Sequence, residues 1–153
     1  MGASLPSPPD EPDLCLGGLS LWIHRRQYPD AADYWDGNWL YSRAVMEGPG
    51  ARVEIRGPFL HGSEIASFAR ELAQLDETLQ GEARLGRIEP QLEVIMRIDG
   101  LGHVAVTVDI TPDPLSQAHR FEFELDQTYV APLRTSCRTI LERFPIKGAP
   151  DDP

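Results

Sequence analysis

Leu92-Glu93-Val94-Ile95-Met96-Arg97-Ile98, the link Asp99-Gly100-Leu101-Gly102, and His103-Val104-Ala105-Val106-Thr107-Val108-Asp109-Ile110 form the stretch that decides the fold class. Leu92, Val94, Met96 and Ile98 fall on one side of the first run, and Val104, Val106, Val108 and Ile110 on one side of the second. Strand side chains alternate between two faces, so each run predicts a strand with one buried face. The glycine-bearing link suits a hairpin, which makes the two strands antiparallel neighbours. Downstream, Thr111-Pro112-Asp113-Pro114 is a turn, and Arg120 to Leu125 repeats the alternation with Phe121, Phe123 and Leu125 inward. Upstream, a weaker strand is expected around Glu82 to Glu89.

Further towards the N-terminus, Ala51-Arg52-Val53-Glu54-Ile55-Arg56 alternates with residues 51, 53 and 55 inward, after the turn Gly48-Pro49-Gly50. Trp39 to Glu47 and Leu19 to His24 read as two earlier strands, separated by the turn-rich segment Arg25 to Asn38. Two helices complete the series. Ser63 offers an N-cap before Ile65, Phe68, Leu72, Leu75 and Leu79, with Gly81 as the stop. Val130, Leu133, Cys137, Ile140, Leu141 and Phe144 recur at helical spacing, and Pro132 must lie in the first turn of that helix.

The expected order is β-β-β-α-β-β-β-β-α, an α+β fold. Its economical form is a mainly antiparallel sheet with the two helices packed on one face. That arrangement leaves Arg52, Glu54, Arg56, Glu93, Arg97, Thr107, Asp109, Arg120, Glu122 and Glu124 on the sheet's other face. Such a face is either wet and ion-paired or binds a partner. The chain divides into a flexible, Pro-rich acidic arm at 1–16, a single α+β domain at 17–146 and a disordered acidic tail at 147–153.

Charge narrows the function classes. With 24 acidic and 14 basic side chains the net charge is −10, so no nucleic acid is expected as a direct partner, because polyanion binding needs a basic face. A basic protein partner fits better, since opposite charge speeds encounter. No apolar run suggests a membrane span and residues 1 to 18 lack the features of a secretory signal, so the reading is cytoplasmic with no membrane partner.

Sites of chemistry are not evident. His24, His61, His103 and His119 are scattered without metal spacing, and the two cysteines, Cys15 and Cys137, form no metal or disulfide framework. No phosphate-binding loop or nucleophile elbow occurs, so no catalytic residues, no metal and no cofactor are assigned, and the protein is read as a non-enzyme. Asp30, Asp33 and Asp36 are spaced by three, which suits capping and turn formation better than a calcium loop.

The remaining unusual feature is aromatic density beside acids. Tyr28, Tyr34, Trp35, Trp39 and Tyr41 occur with no base between Arg26 and Arg43. Exposed aromatics next to carboxylates suit an interface with a basic protein, whereas aromatics at a core edge serve packing. Asp30, Asp33, Tyr34, Trp35 and Asp36, with Glu122 and Glu124 on the sheet, are the candidate partner-binding residues; Trp39 is expected to be buried.

Asp33-Tyr34-Trp35-Asp36-Gly37-Asn38-Trp39-Leu40 resembles the WapI-type bacterial immunity family, whose members are small and share a Tyr-Trp-Asp-Gly-Asn-Trp-Leu segment. The likeness continues at Gly102-His103-Val104, Phe121-Glu122-Phe123 and Leu125-Asp126-Gln127-Thr128-Tyr129, and spans about Leu19 to Phe144. The resemblance implies an antitoxin that binds the toxic domain of a polymorphic, contact-dependent toxin. Such toxins are often nucleases, whose basic substrate grooves would suit an acidic inhibitor. The alternatives are an accessory domain that binds a small molecule or a non-toxin protein, and an enzyme whose site assembles from dispersed Asp, Glu and His. The oligomeric state stays open.

Overall fold

The computed structural model describes residues 11–150. Residues 1–10 of the expected arm and 151–153 of the expected tail lie outside the described residues. Strands β1 (Leu14–Leu16), β2 (Leu19–Arg26), β3 (Trp39–Gly48) and β4 (Ala51–His61) are joined as an antiparallel meander, with the short helix α1 (Tyr34–Gly37) between β2 and β3. Helix α2 (Gly62–Thr78) leads to a second antiparallel meander of β5 (Gly81–Leu85), β6 (Leu92–Ile98), β7 (His103–Ile110) and β8 (Arg120–Asp126). A 3-10 turn at Gln127–Tyr129 enters the last helix, α3 (Val130–Arg143).

The α+β class and the antiparallel strands are as expected, but the strands form two four-stranded sheets, not one. Alternation fixes which face of a strand is buried; it does not choose the strand's neighbour. Here α2, about 25 Å long at 1.5 Å per residue, carries the chain away from β4 before β5 begins, and β5 pairs with β6 instead. Helix α2 packs against β5 and α3, and α3 against β1, so the helix pair joins one edge of each sheet. The inward rows of both sheets and the apolar stripes of α2 and α3 belong to one continuous core, centred on residues such as Leu21, Leu60, Phe68, Leu72, Val94, Met96 and Val108.

The boundaries of the arm and tail shift. Leu14 and Leu16 are buried in β1, although sequence placed them in the arm, and Asp13 accepts from the Ile23 amide and pairs with Arg143. Lys147, assigned to the disordered tail, is held instead by its main chain on Asn38 and by its ammonium on the Pro29 and Ala31 carbonyls. Gly18 permits the β1–β2 turn, since a Cβ there would sit 2.0 Å from the Glu47 carbonyl oxygen.

Helix α2 is capped two residues before each of its expected signals, Ser63 and Gly81. Its N-cap is His61, whose ring accepts from the Ser63 amide while Glu64 returns a bond from the His61 amide, completing a capping box. Its C-cap is Leu79 in the left-handed region, at φ 55° and ψ 32°. A side chain with a Cβ is strained there. Leu79→Gly is therefore expected to stabilise the protein by about 0.5–1 kcal/mol, read as a higher urea midpoint at unchanged slope. A lower midpoint would show that the packing of Leu79 beside Leu75 outweighs the strain.

Candidate functional site

The segment Asp33 to Trp39 is folded around two buried polar side chains, Asn38 and His61. Asp33 caps α1 by accepting from the Asp36 amide at 3.0 Å, which explains the spacing-three acids locally. Asn38 follows the helix and is 1% exposed. Its amide nitrogen donates to the Tyr34 carbonyl at 2.7 Å and to the Lys147 carbonyl at 2.9 Å; its oxygen accepts from the Lys147 amide at 2.9 Å. Its own carbonyl accepts from the Gly62 amide at 2.8 Å. One residue thus ties α1 and the C-terminal segment by its side chain and the start of α2 by its main chain.

His61 is fully buried on the other side of this turn. Its Nε2 lies 3.2 Å from the Tyr34 carbonyl and 3.1 Å from the Trp35 carbonyl, both acceptors, while its Nδ1 faces the Ser63 amide and hydroxyl. These partners assign the proton to Nε2 and leave Nδ1 as the acceptor. The rings of Tyr34, Trp35 and Trp39 surround the imidazole at 5.3, 5.3 and 4.9 Å. The aromatic density of the sequence is therefore partly a cage for one histidine. Trp39, expected to be buried, is only partly so, because it forms a wall of an open cleft.

That cleft, of about 350 Å³, is lined by Tyr28, Asp36, Trp39, Arg56, Gly57, Pro58, Phe59, Glu89 and Gln91. It gathers the rings of Tyr28, Trp39 and Phe59 and two carboxylates, Asp36 and Glu89, that accept no hydrogen bond among the described residues. Its one base, Arg56, is already bonded to Glu54 at 2.8 Å. Gln91 Oε1 is a buried acceptor without a donor among the described residues. Glu89 and Gln91 enter the cleft from the loop before β6, some fifty residues from Asp36 in sequence. No spacing rule joins them, so only the fold could reveal them.

Of the expected partner contacts, Trp35 is 51% exposed, Asp30, Asp33 and Asp36 are exposed, and Tyr34 is half-buried. Glu122 and Glu124 are exposed on β8. The structure does not bring the two groups together. Phe121 of β8 faces Gly48, at the far end of β3 from Trp39, and the ten residues of β3 span about 30 Å. There are two acidic surfaces, not one.

The outer face of the first sheet is ion-paired. Glu54 accepts from Arg43 at 3.2 Å, Arg52 at 2.9 Å and Arg56 at 2.8 Å. Those hydrogen bonds, that from Arg43 foremost, hold its carboxyl down to about 2 from the ordinary 4.5. A depressed carboxylate stabilises the fold above its unfolded value and loses that effect as pH falls through the folded one. Glu54→Gln is expected to cost about 1 kcal/mol at pH 7. The deficit should close as pH falls from about 4.5 to about 2. Parallel acid titrations of the two proteins measure it, and a deficit that persists at pH 2 would place its origin elsewhere.

Burial pushes the Cys137 thiol up to about 12, so it is a packing residue on α3; Cys15 is exposed. Among the described residues no group of three or more His, Cys, Asp or Glu side chains could hold a metal ion. No helix among them is long and apolar enough to cross a membrane.

Fold and site together define a two-sheet α+β domain whose signature turn is locked around Asn38 and His61 beside an acidic, aromatic cleft. Residues 16–145 match the model of the immunity protein WapI-like family, and the chain belongs to that family. No curated protein matches the chain.

Proposed function

We propose that the protein neutralises the toxic domain of a polymorphic, contact-dependent bacterial toxin by binding it, with no turnover of its own. The observation that carries this reading is the convergence of Tyr28, Trp39, Asp36 and Glu89 on one cleft. A lysine or arginine side chain entering it would meet π faces and uncompensated carboxylates at once, which is the chemistry of an interface anchor for a basic partner. Family membership supplies the class of partner. The net charge of −10 favours rapid encounter with a basic domain such as a nuclease. A protein that neutralises the toxin inside its own cell would act in the cytoplasm.

Trp35 and the acids at 30, 33 and 36 rim the same end of the molecule and would lie at the edge of this interface. The test is to express the toxic domain encoded beside this gene with and without the protein. Expected are rescue of growth and co-purification of a stoichiometric complex. Failure to rescue or bind any toxic domain encoded nearby would overturn the reading.

A further inference from the structure

Each sheet has two edges, and three of the four are blunted. Strand β1 is three residues long and lies against α3; β5 is five residues long and lies against α2. Strand β4 is interrupted by Gly57-Pro58, where its register with β3 shifts, and proline at an edge discourages further pairing. Strand β8 is different. It runs seven residues, Arg120–Asp126, without glycine or proline. It is also the one strand among the described residues with no buried side chain: Phe121, Phe123 and Leu125 pack on the core but stay partly open.

The phase of its hydrogen bonding follows from the bonds at its two ends. Ile110 donates to the His119 carbonyl at 3.1 Å, and Gln127 donates to the Gly102 carbonyl at 3.1 Å. With the register Val108↔Phe121, Val106↔Phe123 and Val104↔Leu125, antiparallel alternation turns the amides and carbonyls of 121, 123 and 125 towards β7. Those of Glu122 and Glu124 therefore point to the open edge. Their side chains, on the sheet's outer face, form no ion pair and accept no hydrogen bond among the described residues, while Arg120 beside them is held by Asp109 at 2.8 Å.

We propose that β8 is a docking edge, along which an extended basic segment of a protein partner pairs as an additional strand of the second sheet. Backbone groups of Glu122 and Glu124 would supply the hydrogen bonds, and their carboxylates would select Lys or Arg at alternate positions of the incoming strand. The intervening positions would cover Phe121, Phe123 and Leu125, so the matching sequence alternates basic with apolar. A second copy of this chain is a poor occupant. Antiparallel pairing of two β8 strands about Phe123 sets Glu122 opposite Glu124 twice, and like charges directly opposite are destabilising. The toxin-binding reading supplies the identity of the biological partner; the edge itself does not depend on it.

The test uses the full chain and a short synthetic peptide alternating Lys and Val, with an alternating Glu and Val peptide as control, followed by amide exchange in NMR. In the free protein the Glu122 and Glu124 amides should exchange fast and those of Phe121 and Phe123 slowly. Saturating Lys-Val peptide should slow exchange at Glu122 and Glu124 by at least about tenfold, whereas the Glu-Val peptide should not. Glu124→Pro removes an edge-facing donor without removing a β7–β8 bond, and should weaken the Lys-Val peptide by about tenfold or more. Should that variant melt early, Glu122→Gln with Glu124→Gln keeps the backbone and should erase the discrimination between the two peptides. Unchanged exchange at Glu122 and Glu124 under saturating Lys-Val peptide, or protection there in the free chain that rises with protein concentration, would overturn the proposal. Neither result depends on whether a toxin is neutralised.

Discussion

Replacing Asn38 by alanine is expected to lower the stability of the fold by about 3 kcal/mol, the sum of three lost hydrogen bonds to part-buried backbone groups. The substitution strands the carbonyl and amide of Lys147, both bonded to the Asn38 side chain at 2.9 Å, and takes from the Tyr34 carbonyl its 2.7 Å bond, leaving it His61 Nε2 at 3.2 Å. Water cannot readily replace those bonds, because Asn38 is 1% exposed. For a protein of this length the loss corresponds to a melting temperature lower by roughly 6–12 °C. Asn38→Asp separates donor from acceptor roles: it retains oxygens for the Lys147 amide but faces two carbonyls with a carboxylate, and should cost at least as much. A loss below about 1 kcal/mol for Asn38→Ala would show that the C-terminal segment is not held by this residue.

Asn38 also shows where reading a sequence succeeds and stops. Its segment was visible as unusual, yet the unusual residue types pointed outward, to a partner, while much of their work is inward. Tyr34 and Trp35 present their carbonyls and rings to His61, the last residue of β4, which pairs with Trp39 at the start of β3. A histidine as N-cap leaves no clear local mark, and Ser63, two residues on, carried the stronger signal. The alternating strands were legible because period two records burial directly, as in Val94, Met96, Val106 and Val108. Their division into two sheets was not legible, because that depends on which edges meet after α2. Strand β1 was hidden by its proline-rich surroundings, although Leu14 and Leu16 already alternate about Cys15.

The cleft yields the largest expected effect on binding. Asp36→Arg combined with Glu89→Arg should weaken capture of the neutralised toxic domain by about 100-fold, roughly 2.7 kcal/mol, because two attractions become two repulsions at one point. Neither carboxylate accepts a hydrogen bond among the described residues, so the melting temperature should change little. Glu77→Arg with Glu142→Arg makes the same change in net charge on α2 and α3, outside the residues that line the cleft. If long-range steering by a net charge of −10 were the whole effect, that control would slow association just as much. A cleft that seats a cation predicts instead that only the Asp36 and Glu89 pair also speeds dissociation, since a desolvated contact is lost along with the steering field. Equal losses from both pairs, confined to the association rate and abolished by salt, would remove the cleft from the interface and leave only the acidity of the whole molecule.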